Sequence, residues 1–121
     1  MDHVEQAVQY WRSLDFNVIP FNTHVKMPNV DEWAKFQPPN KISDEQYGEW
    51  FRLGTYNQGL AVCCGQVKDG LYGVGVDCDN GLGITLVLQA LGYKTLSEAS
   101  KHVIVVQHKD SRDRTHFIFF F

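Results

Sequence analysis

The stretch GVGVDCDN, residues 73–80, constrains the chain most. It reads as a strand, and side chains on a strand alternate between faces. Val74, Val76 and Cys78 therefore share one face, while Gly73, Gly75, Asp77 and Asp79 share the other. The apolar face demands a cover. The segment ITLVLQALG follows at once and reads as a helix stopped by Gly92. Two carboxylates side by side repel and raise each other's proton affinity. One reading of the pair is a divalent-cation site, because hard cations take carboxylate oxygens. The other is a strand-end turn in which Asp79 or Asn80 caps the following helix. Spacing alone leaves both open.

The rest of the chain alternates helix and strand signals. Val4, Ala7, Val8, Trp11 and Leu14 form one helical stripe, with Asp2 placed to cap it. FNVIP reads as a short strand stopped by Pro20. Residues 21–41 hold Pro28, Pro38 and Pro39 and read mostly as loop, with Trp33 and Phe36 expected to anchor it to the core. In SDEQYGEWFRL, Ser43 and Gln46 make a capping box, and Tyr47, Trp50 and Phe51 supply the apolar face. NQGLAVCCG reads as one compact strand and VKDG as the turn after it. TLSEAS carries a second capping box, VIVVQ reads as a strand, HKDSRDR as a polar loop and THFIFFF as a final strand. Helices and strands intermingle, with hairpins among the strands, so the class expected is α+β.

Bulk properties narrow the function classes. A chain of 121 residues suits one domain with a modest core. Its 13% aromatic content argues against disorder. The net charge of −3 gives no global attraction to nucleic acid, so such a role needs a local basic patch. Three cysteines without CxxC spacing fit a reduced, cytoplasmic setting better than a disulfide scaffold or a zinc site. The first residues do not resemble a signal peptide, and no apolar run is long enough to span a membrane.

A basic patch is available in HKDSRDRTH, residues 108–116. Lys109, Arg112 and Arg114 outnumber Asp110 and Asp113 there. Such a segment could hold a triphosphate or a nucleic-acid backbone, or be a solvated hairpin tip. His116 opens an apolar strand on the face of Ile118 and Phe120. It gains chemical interest if that strand lies beside the acid pair.

The order of these pieces resembles the bifunctional primase–polymerase (prim-pol) domain of the archaeo-eukaryotic primase superfamily. The likeness runs over nearly the whole chain. It rests on AVQYWRSL leading into FNVIPF, on KMP with Trp33, on NQGLAVCCG, on GVGVDCDN and on THFIFFF. Asp15 stands where a glycine is usual, and Arg114 and Thr115 stand where serine or glycine is frequent.

The resemblance implies an RRM-like sheet, mixed or antiparallel, packed by helices. It implies that Asp77 and Asp79 bind Mg2+ or Mn2+, and that His116 contacts the phosphates of an incoming nucleoside triphosphate. Lys109, Arg112 and Arg114 would then neutralise the β- and γ-phosphates. The reaction implied is DNA primase/polymerase nucleotidyl transfer on a single-stranded DNA template, in replication of a plasmid, phage or mobile element. A helicase domain downstream is a further implied partner. The family's third acid lies on a strand beyond the histidine, and this sequence ends at Phe121, so residues 1–121 read as a domain incomplete at its C-terminal end. Two alternatives stand beside this reading. VGVDCDNG also resembles the strand of haloacid-dehalogenase-type phosphohydrolases, with Asp77 as nucleophile. The chain could also be a non-catalytic nucleic-acid-binding fragment. The primase reading carries a geometric expectation: the strand of His116 should pair with that of Asp77, both side chains on one face.

Overall fold

A computed structural model describes residues 2–108 and 111–120. Two compact units divide it, Met1–Tyr72 and Gly73–Phe121. The class is α+β, with two antiparallel sheets of order β2-β1-β3 and β4-β5-β7-β6.

The first unit begins with helix α1, His3–Ser13, capped by Asp2, whose carboxylate accepts the Glu5 N–H at 2.7 Å. Strand β1, Asn17–Asn22, runs through Pro20 instead of stopping there. The reason lies in its hydrogen bonding. Phe21 N–H donates to Gly59 O, so Pro20 occupies a position whose polar groups point away from strand β3, Leu60–Cys63. On that open side only an acceptor is used: Asn29 N–H donates to the Pro20 carbonyl at 2.9 Å. The missing proline donor leaves nothing unpaired.

Strand β2, Met27–Pro28, covers only the last two residues of β1. At Val18, where no strand pairs on that side, side chains close the edge instead. Val18 N–H donates to the Tyr47 hydroxyl at 3.0 Å, and the Tyr56 hydroxyl donates to Val18 O at 2.8 Å. Tyr47 comes from helix α2, Asp44–Leu53, and Tyr56 from the 3₁₀ turn Thr55–Gln58. Ser43 caps α2 by accepting the Gln46 N–H at 3.1 Å. Trp50 packs edge-on against Phe36, Tyr47 and Tyr56, with ring centres 5.1–5.9 Å apart. Val8, Val18, Ile19 and Ile42 complete this core.

Phe36, in the 3₁₀ turn Trp33–Phe36, anchors the long loop as expected, but Trp33 does not: it is 43% exposed. A side chain the sequence left unremarked does the anchoring. Asn17, 3% exposed, donates from Nδ2 to Phe36 O and Asn40 O and accepts the Ile42 N–H on Oδ1. One amide thus fixes residues 36–42 to β1 with every polar atom satisfied. NQGLAVCCG is not one strand. Asn57 and Gln58 belong to the 3₁₀ turn, β3 ends at Cys63, and β4 spans Gly65–Lys68.

Strand β5, Leu71–Cys78, follows a turn closed by Gly70 at φ 74°. Helix α3, Gly81–Leu91, ends at Gly92 in the left-handed region. The short helix α4, Leu96–Ala99, is capped by Thr95. Strands β6, Ile104–His108, and β7, Ser111–Phe120, complete the sheet, β7 lying between β5 and β6. The polar residues 111–114 are therefore strand, not loop. β7 runs on through a register shift opposite Gln107 and His108 to pair Ser111 with His108, and polarity alone cannot reveal that. The core of this second unit sits on one sheet face. Cys78 and Phe117, with Val76, Val105 and Phe119 around them, pack with Ile84 and Leu88 of α3 and with Ala99. Among the described residues no helix is long and apolar enough to cross a membrane.

Candidate functional site

The covered face of β5 and β7 determines what the other face must show. Because Val76, Cys78, Phe117 and Phe119 turn toward α3, alternation sends Asp77 and His116 to the opposite face. The strands are antiparallel, and Asp77 is the direct cross-strand partner of His116. Asp77 Oδ1 and His116 Nε2 lie 3.4 Å apart. Both side chains are more than half exposed, at 62% and 56%. On the far side of β7, His116 pairs with Val106, itself 38% exposed. Asp77, His116 and Val106 thus form one row across three strands, open to solvent.

An exposed pair of this kind contributes only about 0–1 kcal/mol to stability. Folding does not require it, and both side chains are accessible to a ligand.

Asp79 is placed differently from the expectation. β5 ends at Cys78, so Asp79 lies past the last paired residue and no ladder holds it to the Asp77 face. It is not the helix cap either. Asn80 caps α3, its Oδ1 accepting the Gly83 N–H at 2.9 Å. The two carboxylates nevertheless act on one group: the buried Cys78 thiol is pushed up first by burial, then by the charges of Asp77 and Asp79. Both acids therefore flank the strand end.

Of the basic residues, Arg114 is exposed in β7 and shares the alternation of His116. Lys109 lies outside the described residues, as does the side chain of Arg112, whose backbone belongs to β7. Among the described residues, no three His, Cys, Asp or Glu side chains gather closely enough to hold a metal ion by themselves. The structure brings Asp77, His116 and the Arg114 position to one end of one sheet face, with Asp79 just beyond. The signal for Val106, which sequence reading passed over, was the alternation of VIVVQ.

The two adjacent cysteines belong to the first unit. Burial pushes the Cys63 thiol up to about 11, with the neighbouring Cys64 thiol adding to the shift, and burial also raises Cys64. Both stay protonated at neutral pH; Cys63 packs against the core of the first unit, while Cys64 is exposed. No protein-family model matches the chain, and no curated protein matches it either.

Proposed function

We propose that the chain is a prim-pol-like domain with an RRM-like sheet that carries out metal-dependent nucleotidyl transfer on a single-stranded DNA template. One observation carries the reading. Asp77 and His116 lie 39 residues apart in the sequence, yet they stand directly opposite each other on one sheet face. Antiparallel pairing of two strands with polar ends at one edge is the arrangement this chemistry needs.

The donor set suits a hard divalent cation. Asp77 offers an exposed carboxylate from a rigid strand, Asp79 a second one two residues on, and Gly75 beside Asp77 leaves the approach clear. These residues would hold Mg2+ or Mn2+, which when bound lowers the charge on the attacking and leaving oxygens. His116 would donate from its imidazole to a phosphate oxygen of the nucleoside triphosphate. Arg114, on the same face, would add a second charge-assisted contact. Strand pairing pre-orients the acid and the histidine, so little ordering is left to the bound state.

The test is manganese titration followed by paramagnetic broadening, combined with template-directed incorporation of labelled nucleotide. Broadening centred on residues 77–79 and 116, lost in the Asp77→Asn/Asp79→Asn double variant, is the expected result. Equal broadening in both proteins would overturn the metal site. Nucleotide and single-strand binding without incorporation would instead assign the non-catalytic role.

A further inference from the structure

We infer that Gly75 is where the sugar of the bound nucleotide lies against the sheet, so that position 75 sets the size limit of the site. The inference rests on the nucleotide-binding reading above and deepens it. A glycine inside a strand weakens that strand and often marks close approach by another backbone or by a ligand. β5 has two interior glycines on the face of Asp77. Gly73 is buried and stands opposite Phe120, so the chain itself uses the space there. Gly75 is exposed, and its cross-strand partner Ile118, only 8% exposed, lies in the floor beside it. Of the two glycines on this face, Gly75 is the one whose missing side chain leaves backbone exposed to solvent.

The direction of the ligand follows from how the face changes along the strands. Beyond the Asp77–His116 row come Asp79, just past the end of β5, and the exposed Arg114 of β7, the charged end that suits phosphates and their cation. On the other side come Gly75, Ile118 and Ile104, then Gly73 and Phe120, all uncharged. A nucleoside triphosphate is graded in the same sense, polyanionic at one end and apolar and planar at the other. With its phosphates at the charged end, its sugar falls on Gly75, one row of about 7 Å along the strand from Asp77. The base then reaches toward the ring of Phe120, which is 37% exposed. A β-carbon at position 75 would project from the same face as the Asp77 side chain, into the sugar.

The experiment compares Gly75→Ala and Gly75→Val with the unaltered protein. Affinity for a nucleoside triphosphate and for inorganic tripolyphosphate is measured by calorimetry with manganese present, beside the melting temperature. Tripolyphosphate carries the charge but no sugar. The expected result is nucleotide affinity reduced about tenfold or more by valine and less by alanine, through steric exclusion. Tripolyphosphate affinity should stay constant, and the melting temperature should hold or rise, because both residues suit a strand better than glycine. If Gly75→Val does not fold, Gly75→Ala decides. Unchanged nucleotide affinity, or equal loss for both probes, overturns the role of Gly75 while leaving the site intact. An unaltered protein that binds neither probe overturns the nucleotide-binding reading and this inference together.

Discussion

Single residues decide more here than their exposure suggests. Asn17 ties three backbone groups of the 36–42 segment to β1, and Tyr47 and Tyr56 close the open edge at Val18. Asp15 stands in the left-handed region at φ 72°, just past α1, where glycine would be unstrained. Its carboxylate lies 3.2 Å from Lys68 Nζ, and its carbonyl accepts from Lys41. Cys63 gives the clearest pH signature. Its thiol is raised by burial to about 11 from an ordinary 9.0. A raised acid group keeps its proton longer in the folded chain than in the unfolded one. Its contribution is therefore complete below pH 9 and is lost as pH rises through about 11. Tyr47 and Tyr56, also raised by burial, act in the same direction at higher pH. Denaturant melts from pH 8 to 11 should show falling stability, with a shallower fall in Cys63→Ala. An identical slope in the two proteins would remove Cys63 as a source.

At the scale of elements, the turn from β5 into α3 separates two roles that the sequence leaves mixed in DCDN. Asn80 caps, and Asp79 does not. Asn80→Ala should cost about 0.5–2 kcal/mol, the usual effect of losing a cap. Asp79→Asn should cost only a few tenths, because what it loses is an interaction with the helix dipole in solvent. Thermal or urea melts of the two variants check the order, and a larger loss from Asp79→Asn would return the acid to a structural role. The same scale explains the segments that polarity misreads. Residues 111–114 look like loop because they are polar, yet β7 runs on through them to pair Ser111 with His108 of β6. Pro20 looks like a strand stop, yet its ring sits where β3 asks for no donor.

For the whole molecule, the apolar residues gather into two clusters, one around Val18 and Trp50 and one around Phe117 and Leu88, with no described residue in common. Mutations in clusters that share no partners add. Ile19→Val and Ile84→Val should each cost about 0.5–1.5 kcal/mol, and the double variant should match their sum within about 0.5 kcal/mol. A larger coupling, measured in a double-mutant cycle by denaturant unfolding, would show that the two cores do not respond independently.

The sequence by itself determined the α+β class, the helix caps at Asp2, Ser43 and Thr95, the stop at Gly92 and the alternation that sends Asp77 and Val76 to opposite faces. These are local properties: a cap needs three residues, and a strand's faces need only its period. Only the tertiary structure decided that β7 lies between β5 and β6, that Asp77 meets His116, that Asp79 falls outside the ladder and that Gly75 is open where Gly73 is buried. Those facts depend on register between segments about forty residues apart. Register is set by which apolar side chains pack together beneath the sheet, here Val76, Cys78, Phe117 and Phe119 with α3, and no local pattern contains it.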